Sequence, residues 1–270
     1  EDNVYVAPWG NDSLNTGLST SSPFKTINYA ISRVYADSLN PATIHLDNGI
    51  YSTSTNGEIF PLLLINWITI LGSEFSTTIL DAENNSRVVE CVNVDGSSMH
   101  NLIIENGTAN NGGGIYVMDN SSPVFDHLTL AGNQSQSDGG AIYIRNGSNI
   151  QFSNSIVWNN GTESIYFSST GSASQITVDY SIVDGGEAGV AANSSTVNWG
   201  AGNLEQDPLF GNQFSLQWGS PAIDAGDPAG DPDPDGTITD MGALYYDQTY
   251  QPPDPPVGLS YVPGSGEITL

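Results

Sequence analysis

Gly112-Gly113-Gly114-Ile115-Tyr116-Val117 returns as Gly139-Gly140-Ala141-Ile142-Tyr143-Ile144, displaced by 27 residues. Phe125 maps onto Phe152 by the same shift, and Asn106, Asn133 and Asn160 recur at that spacing. Downstream the repeat loosens. Ser155-Ile156-Val157 becomes Ser181-Ile182-Val183 after 26 residues, and Ile165-Tyr166-Phe167 follows Ile142-Tyr143-Ile144 after 23. Each unit holds two or three short runs that alternate apolar and polar, split by Gly, Asn and Ser, without helical periodicity. Short strands in a unit of ~20–30 residues build a solenoid whose coils bury their inner faces on one another. The recurring Asn tolerates the left-handed backbone of a sharp corner, and its amide can bond the Asn of the next coil.

Working outward, the chain adds Tyr5-Val6-Ala7, Asn11-Asp12-Ser13, Pro23-Phe24-Lys25-Thr26-Ile27, and an end segment containing Asp207-Pro208-Leu209-Phe210 and Gly219-Ser220-Pro221-Ala222-Ile223-Asp224-Ala225-Gly226. With these features it resembles the right-handed parallel β-helix proteins, the pectate-lyase-like superfold. The resemblance implies an all-β solenoid over 1–247, with an N-terminal helical cap in 1–41 and an irregular C-terminal cap in 203–247. It does not imply one activity, since the superfold hosts lyases, hydrolases, adhesins and inert stalks. Ser22-Pro23 reads as the N-cap and first residue of the capping helix, with Ile27, Ile31 and Val34 on one face. Residues 248–256 are a Pro-rich spacer. Residues 257–270 resemble the first strands of a fibronectin type III domain, which needs about 90–100 residues. The chain therefore reads as part of a larger modular protein.

Thirty Asp and Glu stand against four Lys and Arg, a formal charge of −26. Nucleic acid is excluded as a partner, because phosphate binding needs clustered cations. Unaided binding of polyanions is disfavoured by the same repulsion. No apolar run reaches the ~18 residues of a membrane span. A single cysteine, Cys91, leaves the fold independent of internal disulfides. A start at Glu1 without a basic or apolar leader reads as a mature end after export. The expected location is extracellular or at the cell surface.

Asp231, Asp233 and Asp235, followed by Gly236, place carboxylates at alternate positions before a turn glycine, like the start of a calcium loop. Gly242 occupies the twelfth position, where an EF-hand needs Glu, so Asp240 would substitute in another loop geometry. Asp224 and Asp227 add ligands. The expectation is a structural calcium ion that locks the C-terminal cap; the plain alternative is a solvated acidic turn.

Tyr116, Tyr143 and Tyr166 sit between inward apolar residues and so point outward, about 4.8 Å apart in stacked coils. Such a strip suits sugar rings, and equally suits sheet cohesion through ring stacking. Arg145 lies one column over, and Glu90 borders the strip. The expected partner is a polysaccharide or cell-surface glycan held by these tyrosines and Arg145. A polysaccharide lyase would have to use Arg145 with Tyr143 or Tyr116 as the catalytic set. No facing carboxylate pair for a glycoside hydrolase stands on that sheet. Two further outward columns hold His100, Asp126, Ser153 and Asp179, and Asn101, His127, Asn154 and Tyr180. His100 beside Asp126 suits an oriented imidazole or a metal ligand, although corner polar residues are usually just solvated. His45 reads as an isolated structural residue. The leading reading is a non-catalytic surface or adhesive module. A polysaccharide lyase and a self-associating structural subunit are the alternatives.

Overall fold

Inward-pointing Ile, Val, Leu and Phe at every second position force successive coils to stack, and the computed structural model shows the result. It describes residues 3–73, 76–161 and 163–249, and the backbone of 260–261 and 268–269. Three walls of parallel strands enclose one core. Wall 1 runs through Asn3–Val6, Ala42–Leu46, Ile68–Leu71, the first halves of Ser98–Glu105 and Val124–Ala131, then Asn149–Ser153, Gln175–Asp179 and Thr196–Trp199. Wall 2 contains Gly49–Tyr51, Thr78–Asp81, the second halves of the two long strands, Ile156–Trp158 and Ile182–Val183. Wall 3 contains Leu62–Leu64, Val89–Val92, Ile115–Met118, Ile142–Ile144, Ile165–Phe167 and Val190–Ala191. Every pairing between successive coils in these walls is parallel, with residues such as Phe125 and Phe152 in direct register. The rings of Phe125, Phe152 and Phe167 are fully buried inside. Cys91 is also in this core, and burial pushes its thiol pKa up.

The corner between walls 1 and 2 is turned at Asn101, His127, Asn154 and Tyr180, all with φ between 46° and 55°. Left-handed backbone there follows the expected Asn chemistry at two positions, and His and Tyr occupy the others. The polar ladder at the next corner differs from the expected one by one register step. Asn133 Nδ2 donates to Asn160 Oδ1 at 3.0 Å, but it is Gly107 N that donates to Asn133 Oδ1. Asn106 stands one position earlier at φ 51°, bonding Asp81, because the step between these coils is 26 residues.

The N-terminal helix also begins later than Ser22-Pro23. Phe24 forms a bridge with Val6, so helix α1 starts only at Ile27 and runs Ile27–Arg33. Thr26 caps it by accepting from Tyr29 N, and the Glu58 carboxylate accepts from Ile27 N and Asn28 N. Ile27 and Ala30 enter the solenoid core, with Ile31 and Val34 packed against it.

The largest departure concerns 203–247. This segment does more than close the end of the solenoid. It folds back as a strap across the outer surface of wall 2. There the outward column Ile50, Ile79, Ile103, Thr129, Ile156, Ile182 is mostly apolar. Leu216, Ala222 and Met241 cover Ile156 and Ile182, while Ala243, Leu244 and Phe214 cover Ile79 and Ile103. Wall 2 strands therefore carry apolar residues at both parities, as in Leu102-Ile103-Ile104, because both faces are buried. The Pro-rich spacer from 250 lies outside the described residues. Beyond it, Ser260–Tyr261 pairs antiparallel with Ile268–Thr269.

Candidate functional site

Wall 3 presents the tyrosine column as expected: Tyr116, Tyr143 and Tyr166 are in register. Their rings stack face to face, with centroids 5.3 and 5.6 Å apart and planes within 2° and 17°. The stack occupies the ring faces themselves, and Tyr143 is only 7% exposed. Arg87 closes the far face of Tyr116, its guanidinium 4.2 Å from the ring centroid, while pairing with Glu90 at 2.8 Å. Arg145 is therefore not the only cation on this wall. Its Nη1 reaches Tyr116 OH at 3.5 Å, and its Nε has no partner. The hydrogen bond to Tyr116 and the field of its hydroxyl raise the Arg145 pKa. What this face offers a ligand is a row of hydroxyl edges beside a guanidinium. It lines neither of the two clefts described below.

The concave site forms at the edge of wall 1. Tyr5, His45, Leu71, His100, Asp126, Ser153 and Asp179 share one outward column. His45 is thus not isolated. Its ring stacks on Tyr5 at 5.0 Å, and burial lowers its pKa. Two coil steps beyond Leu71, the Asp126 carboxylate faces four polar side chains. Oδ1 accepts from Ser153 Oγ at 2.7 Å and Asn154 Nδ2 at 2.8 Å. Oδ2 lies 2.9 Å from His127 Nδ1 and 3.4 Å from His100 Nδ1. Burial alone would raise the Asp126 pKa, but hydrogen bonds from His100 and His127 and the charge of His127 hold it far below the usual range.

The strap lies directly against this cluster. His127 Nε2 is 2.8 Å from Thr239 Oγ1, which donates in turn to Asp233 Oδ1 at 3.3 Å. Asn154 accepts from Asp227 N through Oδ1 and from Gly242 N through its carbonyl, both at 2.8 Å. Between coil and strap opens a cleft of about 540 Å³, lined among others by Leu71, His100, Asn101, Asp126, Asp231 and Tyr245. A second cleft of about 480 Å³ shares Leu71 and runs on past His45 to Tyr5. The imidazole and carboxylate columns read from the sequence thus meet the Asp-rich motif across one groove. That meeting joins residues more than 100 positions apart, which no local pattern announces.

Of the six carboxylates in the expected calcium set, four accept hydrogen bonds from backbone amides. Asp233 Oδ2 accepts from Asp240 N, Asp235 from Thr237 N and Gln248 N, and Asp227 from Ala229 N. Asp240 accepts from Asp224 N and Tyr246 N, at 2.6 Å each. Asp224 and Asp231 are exposed, and no hydrogen bond engages their carboxylates. Among the described residues no group of three or more His, Cys, Asp or Glu is arranged to hold a metal ion. Burial, with the like charges of Asp233 and Asp224, pushes the Asp240 carboxyl up to about 7. Burial also raises Asp233, against hydrogen bonds from Asp240 N and Thr239.

A family model described as right handed beta helix region matches residues 45–219, more than half of the chain. No curated protein and no solved structure matches it.

Proposed function

The chain belongs to the right-handed β-helix family, and on that premise we propose that it is an exported, non-catalytic surface module that binds carbohydrate in the groove beneath the strap. The observation that carries this is the cleft between wall 1 and the strap, whose volume lies in the range of small-ligand sites. His100, Asn101 and Tyr245 line it, and among the described residues His100 Nε2, the Asn101 amide and the Tyr245 hydroxyl have no hydrogen-bond partner. Such unspent donors and acceptors beside apolar Leu71 suit a polyhydroxy ligand. The continuation from Leu71 past His45 to Tyr5 spans two coil steps, about 10 Å at ordinary strand spacing, which suits a chain of sugars. The stacked tyrosines serve first as a ladder that binds wall 3 together. Their hydroxyl edge with Arg145 is a secondary contact for a polymer longer than the groove.

A lyase at Arg145 draws no support from this geometry. A base must give up its proton readily, and the Tyr116 hydroxyl makes the guanidinium hold it more firmly. A structural calcium ion belongs to the reading at the exposed carboxylates of the strap, supported by their spacing and by the unbalanced charge. A glycan array probed with the purified chain tests the function. Retention of short oligosaccharides is the expected result; a blank array across neutral, amino and acidic glycans would remove the carbohydrate reading.

A further inference from the structure

The same cleft carries a statement about the charge of its ligand, which rests on the saccharide reading above. The Asp126 carboxylate faces the imidazoles of His100 and His127. The strap adds Asp231, Asp233 and Asp240 to the lining, and none of the four Lys and Arg side chains, Lys25, Arg33, Arg87 and Arg145, lines the cleft. Asp233 accepts from Thr239 Oγ1 and from Asp240 N, with no Lys or Arg beside it. Asp231 is exposed at the rim with its carboxylate unengaged. The lining therefore carries more negative than positive charge, in a chain whose total is −26. A concave wall with low-dielectric sides focuses that field into the space it encloses.

We propose that the cleft selects a polyhydroxy ligand bearing a protonated amine, an amino sugar with its nitrogen free, and rejects uronic acids. The ammonium group meets the strap carboxylates of Asp231 and Asp233. The hydroxyls meet the Asn101 amide, the Tyr245 hydroxyl and His100 Nε2. Leu71 takes a C–H face of the ring. Acetylating the amine removes the charge but leaves the ring hydroxyls, and a uronate places a carboxylate against carboxylates. Discrimination between the three is thus a difference in electrostatic complementarity at one site.

The test is isothermal titration at low salt with EDTA present. The ligands are three short oligosaccharides of matched length: one with free amines, its N-acetylated form and a uronic acid oligomer. The free-amine form is expected to bind about tenfold more tightly than the acetylated form, and the uronate not measurably. Asp231→Asn, at an exposed position outside the strap's hydrogen bonds, should reduce that preference to about threefold or less. Asp207→Asn, an exposed carboxylate away from the cleft lining, should leave it unchanged. Equal binding of amine and N-acetyl forms, or binding of the uronate as tight as the amine, overturns the charge selection and leaves the saccharide site standing. No binding of any of the three overturns both.

Discussion

A carboxylate that accepts three hydrogen bonds and faces a second imidazole behaves as a fixed charge, and Asp126 is built that way by Ser153, Asn154, His127 and His100. Its pKa lies below the unfolded value, so the stability it contributes is present above about pH 4 and is lost as the pH falls through its folded value. Asp240 has the opposite sign. Its carboxyl is pushed up to about 7, by burial first and by Asp233 and Asp224 next. The proton-stabilised contribution is therefore present below about pH 4 and is lost as the pH rises towards 7. Between those limits the strap should become more stable on acidification. Thermal scans from pH 7 to pH 5 check this: the wild type gains stability, and Asp240→Asn flattens the trend. A wild-type profile that falls over the same interval would contradict the assignment. The Asp-rich motif singles out Asp240 in the sequence. Its backbone partners, Asp224 N and Tyr246 N, depend on how the strap folds back on itself, and local spacing does not encode that.

At the scale of elements, the strap and the solenoid have separate apolar cores. Phe152, Ile142 and Val117 belong to the interior cluster, whereas Met241, Ala222 and Leu216 form their own cluster against Ile156 and Ile182. The strap is therefore expected to open without unfolding the coils. Met241→Ala should cost the strap about 2–5 kcal/mol. In hydrogen exchange, its backbone amides from 222 to 246 should lose protection while those of Ile115–Met118 keep theirs. Uniform loss across both would mean that strap and coils unfold together. The wall 2 strands already signalled such a cover. Thr78-Ile79-Leu80, Leu102-Ile103-Ile104 and Ile156-Val157 lack the alternation of a strand with one wet face. What covers them was not legible, because Thr239 meets His127 across 112 residues of chain. Helix α1 shows the converse. Its existence and buried face follow from the spacing of Ile27, Ile31 and Val34, but its start does not, because a bridge between Phe24 and Val6 holds the preceding chain extended.

As a whole molecule, the solenoid is a rod with one ridge, and the groove lies beside that ridge. The Gly-Gly-(Gly/Ala)-Ile-Tyr repeats were enough to establish the coil, its wall 3 register and its outward tyrosines. They could not show that the rings would turn their faces onto each other, since that depends on a 5 Å stacking choice among outward side chains. Part of the −26 charge acquires a location in the strap, where carboxylates line the cleft without Lys or Arg neighbours. If calcium resides there, thermal scans should show a lower melting temperature with EDTA than with added calcium, and Asp231→Asn should narrow the difference; identical scans would remove the ion. The central claim is that the ligand sits beneath the strap and not on the tyrosine face. It is tested most directly by titrating one short oligosaccharide, chosen from the array, into the wild type, His100→Ala and Tyr166→Ala, with circular dichroism confirming the fold of each. His100→Ala is expected to lose about tenfold or more in affinity while Tyr166→Ala binds within about twofold of the wild type. Loss of binding in Tyr166→Ala with full binding in His100→Ala would contradict the claim.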